Sequence, residues 1–170
     1  MDVYLIRHAA AQDRDETDWP DDALRPLTKS GKKEFRKAAR GLRRLVGRVD
    51  LVLSSPFSRA WQTAQILRDE ARWPKPTAQP ALGADAPVAG YRETFGESTA
   101  KSVALVGHEP GLSHFAAQLL LGEDAAAFFD LDKGGVACLR IEPGEAQDRA
   151  RLLWLADQKS LSAGAPGKRG

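Results

Sequence analysis

Three short runs of consecutive apolar residues punctuate the chain: Val3-Tyr4-Leu5-Ile6, Leu51-Val52-Leu53 and Val103-Ala104-Leu105-Val106. Runs of this length without alternation fit strands covered on both faces. Between them the apolar positions switch to helical spacing. Phe35, Ala38, Ala39, Leu42 and Leu45 predict a helix from Thr28, a good N-cap, to about Val46. Pro56 opens a second helix, carried by Ala60, Ala64, Leu67 and Ala71 and stopped by Trp73-Pro74-Lys75-Pro76. Leu112, Phe115, Ala116, Leu119 and Leu120 mark a third, closed by Gly122. Residues 77–83 read as a further strand, 88–95 as a short helix, and 9–27, acidic and carrying Pro20 and Pro26, as a loop. Residues 136–141 and 151–156 flank Pro143-Gly144 as an antiparallel hairpin. The alternation predicts an α/β fold: a mostly parallel central sheet, helices on both faces, and the hairpin at the C-terminal end.

Length adds that the 170 residues suffice for one domain with a sizeable core, expected over 1–158. From about Ser160 onward Gly, Ala, Ser and Pro dominate, so 159–170 is expected to be a disordered tail. Neither a signal segment nor an apolar run near the ~20 residues of a membrane span is present. Cys138 is the single cysteine, so no intrachain disulfide forms, and a cytoplasmic location fits best. Charge is uneven. Ten basic residues and one acid, Glu34, fall between Arg25 and Arg48, while Asp13 to Asp22 holds six acids and one base, Arg14. A solvated face explains the basic stretch, and docking of an acidic partner is the alternative. Nucleic acid is not an expected partner, because no aromatic residues alternate with the charges.

Candidate chemistry lies where the apolar runs stop. Arg7-His8 follows the first, Arg59 comes shortly after the second, and His108 follows the third. Strand carboxyl ends in such a sheet line up along one edge, where ligands bind. Arg59 lies in the first turn of its helix, whose free N–H groups favour anions, and arginine adds a planar fork matched to phosphate oxygens. Two arginines around a histidine lower its pKa and keep the imidazole neutral and nucleophilic. The set suits phosphoryl transfer through a histidine, with no metal or cofactor demanded. Taken singly, a histidine after a strand reads first as structural and an arginine near a helix start as a surface residue; it is the coincidence of three such junctions that points to a site.

Arg7-His8-Ala9, the stretch SSPFSRAWQTA from Ser54 to Ala64, and VGHEPG from Val106 to Gly111 together resemble the histidine phosphatase superfamily, with its phosphoglycerate mutase-like fold. Arg25-Pro26-Leu27-Thr28 resembles a further signature of its small branch, the SixA-type phosphohistidine phosphatases. The resemblance implies a three-layer α/β/α sandwich with His8 as the phosphorylated nucleophile. It also implies Arg7 and Arg59 as phosphate clamps and His108 as the partner that stabilises the transferring group. Many larger members have glycine after the histidine; here Ala9 stands there, as is common in the small branch.

Forty-nine residues separate Arg59 from His108, too few for a cap domain once a helix and a strand are placed. An open site admits a protein side chain, so phosphohistidine on a phosphorylated protein is the expected substrate. A small phosphate ester, or phosphate binding without turnover, are the alternatives. An alkoxide leaving group needs a placed acid, whereas imidazole needs one less. Glu109 is a candidate acid or substrate contact, and equally a helix N-terminal charge; Arg25 is a further candidate substrate contact. Asp18, Asp21, Asp22, Glu93 and Glu97 are weaker acid candidates. Asp130-Leu131-Asp132, Cys138 and His114 read as loop, core and ordinary helix residues. A monomer is expected.

Overall fold

Six strands form one mixed sheet in the order β3-β2-β4-β1-β5-β6 in a computed structural model, which describes residues 1–96, 98–122, 129–142 and 149–164. The strands are β1 (Asp2–Arg7), β2 (Leu51–Ser54), β3 (Thr77–Ala78), β4 (Ser102–Gly107), β5 (Val136–Glu142) and β6 (Arg149–Ala156). β4 pairs in parallel with both β1 and β2, and β3 continues the parallel set at one edge. β5 runs antiparallel to β1 and β6 antiparallel to β5. The turn expected at Pro143-Gly144 lies outside the described residues.

Side chains alternate across the sheet, so each apolar run feeds two cores. Tyr4, Ile6, Val52, Ala104 and Val106 face helices α1 (Lys29–Val46), α2 (Ser58–Ile66) and α5 (Gln158–Ala163). Val3, Leu5, Leu53, Val103 and Leu105 face α3 (Ala89–Glu93) and α4 (Gly111–Leu121). The result is a three-layer α/β/α sandwich with no separate cap domain among the described residues.

Thr28 caps α1 as expected, its hydroxyl accepting from Gly31 N at 2.8 Å. Leu45 does not join the buried stripe and is 41% exposed, because Phe35, Ala38, Ala39, Leu42 and the half-buried Val46 already fill the inward positions. The strand expected over 77–83 shrinks to two residues. Pro80 has no N–H to continue the ladder, and Pro80–Leu82 forms a 3-10 turn that buries Leu82. The short helix expected over 88–95 is α3, with Tyr91 and Phe95 packed on Phe115.

The expected tail is the largest departure. Residues 158–163 form α5, capped by Asp157, which accepts from Ser160 N at 2.6 Å, and anchored by Leu161, 2% exposed. Gly41 makes this possible: a Cβ there would collide with the Leu161 carbonyl. One capping acid and one leucine thus order a segment whose composition reads as disordered; residues 165–170 lie outside the described chain.

Candidate active site

The register of the sheet brings the two histidines together. Arg7 pairs with Gly107 across β1 and β4, and His8 N donates to Gly107 O at 3.1 Å, so His8 and His108 leave neighbouring strands at the same level. Their rings lie 5.1 Å apart. On the other side of β4, Ser55 N donates to Val106 O at 2.9 Å, and a tight turn through Pro56 and Phe57 delivers Arg59 into the first turn of α2. Arg7, His8, Arg59 and His108 therefore share one sheet edge, as the three junctions predict.

Each side chain is tethered at one end and left unpartnered at the other. His8 Nδ1–H donates to Ala9 O at 2.8 Å, a bond that assigns the tautomer and leaves the Nε2 lone pair for chemistry. Arg7 Nη1 donates to Leu131 O at 2.6 Å. Arg59 Nη1 donates to Asp22 O at 2.8 Å, and its Nη2 pairs with Asp22 Oδ2 at 2.9 Å. The Arg59 guanidinium also lies over the Phe57 ring, which makes an edge-type contact with the His108 ring. His108 Nε2 meets Ser55 Oγ at 2.9 Å. Ser55 Oγ also accepts from Phe57 N at 3.2 Å; with the Ser55 hydroxyl donating to His108 Nε2, the His108 proton sits on Nδ1.

Among the described residues, the buried side-chain nitrogen and oxygen atoms without a partner are Arg7 Nε, Arg59 Nε, His108 Nδ1 and Gln158 Oε1. Three of the four belong to this one site: the two arginine Nε atoms carry N–H, and His108 Nδ1 does so in the tautomer whose Nε2 accepts from Ser55. An orphaned buried polar group costs about 1–3 kcal/mol, more when charged, so an acceptor placed among these groups is stabilised. A tetrahedral oxyanion supplies several acceptors at once.

Burial is the main cause of low histidine pKa values here. His8 is brought down to about 4 by burial, against its bond to Ala9, with Arg59, Arg7 and Arg25 adding repulsion. His108 falls to about 2 through burial, then His8 and Arg59, with Asp22 opposing. The expected direction holds, but the arginines are the smaller cause. Both imidazoles are neutral at pH 7.

The other candidates are placed differently. Arg25 Nε binds Asp22 Oδ1 at 2.7 Å and its Nη1 binds Gln12 O at 2.6 Å, so it braces the loop that holds Arg59. Asp22, shared by Arg25 and Arg59, is held below the usual carboxylate range chiefly by its bond from Arg25, which makes it a counter-ion and not an acid. The Glu109 carboxylate accepts from Ser113 and from Leu131 N. Asp18 is exposed, Asp21 caps the Asp22–Leu24 turn, Glu93 ends α3, and Glu97 lies outside the described residues. His114 is exposed on α4, and burial pushes the Cys138 thiol up to about 12. No three His, Cys, Asp or Glu residues gather as a metal site among the described residues, and none of their helices is long and apolar enough to cross a membrane.

Sequence reasoning missed Ser55 and Thr63. Thr63 Oγ1 accepts from Ala9 N at 3.1 Å and donates to Arg59 O at 2.7 Å, locking α2 to the His8 turn. Both lie in the Ser54–Ala64 stretch, and polar residues at strand-end and inward helix positions were the available signal.

Such an edge, where two imidazoles and two guanidiniums of an α/β sheet come together, is suited to holding an anion such as phosphate. Comparison with known proteins narrows this. Residues 3–83 match the model of the histidine phosphatase superfamily (branch 1). The phosphohistidine phosphatase SixA of Escherichia coli K12 is 31% identical over 133 residues, covering 75% of this chain and 80% of that protein. The structure of the protein histidine phosphatase SixA complexed with tungstate superposes with a TM-score of 0.76 at 26% identity, covering 95% and 99% of the two chains. An E. coli K-12 alpha-ribazole-5'-P phosphatase shares the fold at 20% identity, with a TM-score of 0.71 and 93% and 98% coverage. The chain belongs to the histidine phosphatase superfamily and, within it, to the SixA-type branch. It is a phosphatase.

Proposed function

We propose that the protein removes phosphate from phosphohistidine on a protein, through a covalent phosphohistidine on His8. The reading rests above all on the three unpartnered N–H groups, Arg7 Nε, Arg59 Nε and His108 Nδ1, gathered beside an imidazole whose Nδ1 is tied to Ala9. In the first step the His8 Nε2 lone pair forms a bond to phosphorus. The bond from phosphorus to the substrate imidazole breaks, and that ring, protonated on its other nitrogen, keeps the electron pair and leaves as neutral imidazole. In the second step water attacks phosphorus, His8 departs with its electron pair as a neutral imidazole, and both protons of the water leave on the phosphate as dihydrogen phosphate. The three donors face charge on the phosphoryl oxygens in both steps, and no metal ion is needed. The weak basicity of the buried His8 helps the second step, where it is the leaving group.

The carboxylates favour phosphohistidine over an alkyl ester. Asp22 is kept ionised by two arginines, and both Glu109 oxygens are turned to Ser113 and Leu131, so neither carboxylate is set as a proton donor to an alkoxide. An imidazole leaving group tolerates that lack. The relatives support this direction: one is named a phosphohistidine phosphatase, and another is complexed with tungstate, a tetrahedral oxyanion. Purified protein offered a phosphohistidine protein and a panel of phosphomonoesters is expected to turn over the former much faster, with label trapped on His8. Faster turnover of any metabolite ester overturns the substrate assignment, and label on another residue overturns the mechanism.

A further inference from the structure

We propose that Glu109 is a positioning residue for Arg7, acting through the Leu131 peptide, and not the proton donor; this rests on the reading of His8 as phosphoryl acceptor. Among the described residues the Arg7 side chain makes a single hydrogen bond, from Nη1 to Leu131 O at 2.6 Å. Whatever fixes that peptide therefore aims the guanidinium. The other end of the same residue, Leu131 N, donates to Glu109 Oε1 at 2.9 Å. Glu109 Oε2 in turn accepts from Ser113 N at 3.2 Å and Ser113 Oγ at 2.5 Å. The Leu131 side chain is buried in the core beneath α4, and Ser113 is buried in the first turn of that helix. The residue next to His108 is thus tied, through one amide N–H and one carbonyl, to the arginine next to His8. A proton donor needs an oxygen free to carry a proton towards the leaving group. Both Oε2 lone pairs accept from Ser113 and one Oε1 lone pair accepts from Leu131 N, which leaves Glu109 a single position for a proton, on the oxygen that holds Leu131.

A series of aryl phosphates running from p-nitrophenol to phenol separates the two roles. Positioning predicts that Glu109→Ala lowers kcat/KM by one common factor, about 10–100-fold, across the series. Glu109→Gln, whose amide oxygen still accepts from Leu131 N, is expected to recover to within about fivefold of the parent. In an Arg7→Ala background Glu109→Ala is expected to cost less than about twofold. A loss that grows with the basicity of the phenol, a Glu109→Gln variant as impaired as Glu109→Ala, or an undiminished loss in the Arg7→Ala background overturns the assignment. If Glu109→Ala does not fold, Glu109→Gln alone decides between donor and tether. Inorganic phosphate binding to the His8→Ala protein, followed by thermal shift, reads the same Glu109–Arg7 coupling without turnover. Coupling present there while His8→Ala still hydrolyses aryl phosphates faults the His8 reading alone; coupling absent faults the tether.

Discussion

Acid should unfold this protein through its active site before its surface carboxylates contribute. The ordinary histidine value is 6.5; His8 is brought to about 4 and His108 to about 2, mainly by burial. A lowered histidine pKa means that the folded state resists the proton which the unfolded chain accepts. Stability is therefore full above pH 6.5 and falls as pH drops below it. Each histidine contributes a slope near 1.36 kcal/mol per pH unit once the unfolded ring is protonated and the folded ring is not, so the pair gives about 2.7 between pH 5.5 and 4.5. Across pH 6.5 to 4.5 the loss is about 4–5 kcal/mol, comparable to the whole stability of many domains. Asp2, Asp22 and Asp50 have lowered values, so their contribution is lost only below the ordinary 3.8, outside this window. Urea unfolding followed by tryptophan fluorescence at pH 7.5, 6.5, 5.5 and 4.5 measures the slope. A His8→Gln/His108→Asn variant is expected to lose about 2.7 kcal/mol per pH unit of it between pH 5.5 and 4.5, whatever its absolute stability. Parallel curves for parent and variant would refute the burial of two neutral imidazoles.

Arg59→Lys keeps the charge but removes the Nε donor and the fork; kcat/KM for p-nitrophenyl phosphate is expected to fall about 10²–10³-fold, and a loss under about fivefold counts against the fork. Ser55→Ala frees His108 Nε2, which has no other partner among the described residues; thermal unfolding should show a loss of about 1–2 kcal/mol, together with a reduced kcat, and an unchanged kcat would show that the tautomer is set elsewhere. Gly41→Ala improves helix propensity by about 1 kcal/mol, yet its Cβ meets the Leu161 carbonyl, so a net destabilisation of about 1–3 kcal/mol is expected, and a raised Tm would disprove the docking of α5. Incubation with a chelator is expected to leave turnover unchanged; a loss restored by a divalent cation would contradict the metal-free mechanism.

The parts of the site that were legible in the sequence are those fixed by position along a strand. Arg7, His8 and His108 sit where apolar runs end, and parallel register then determines that they meet: once Arg7 lies opposite Gly107, the next residue on each strand has to be a histidine. Arg59 was legible because a proline and a short turn place it in the first turn of a helix. The tethers were not legible, because each is a hydrogen bond between segments distant in sequence and its partner is often backbone. Leu131 O holds Arg7 across 124 positions, Asp22 O holds Arg59 across 37, and Ser55 Oγ holds His108 across 53. Any residue except proline offers the same carbonyl and N–H, so the identity of Leu131 announces nothing about its role. For the same reason Asp22 and Glu109 read as candidate acids: the sequence shows the carboxyl group but not the donors around it, and those donors decide whether the group gives a proton or holds a neighbour. α5 went unread because a single buried leucine and a glycine on another helix order it, which no local composition reveals. The division has a physical basis. Sheet register carries the groups that react to one edge, while what those groups can do is set by long-range contacts that orient one end of each and leave the other end waiting for the anion.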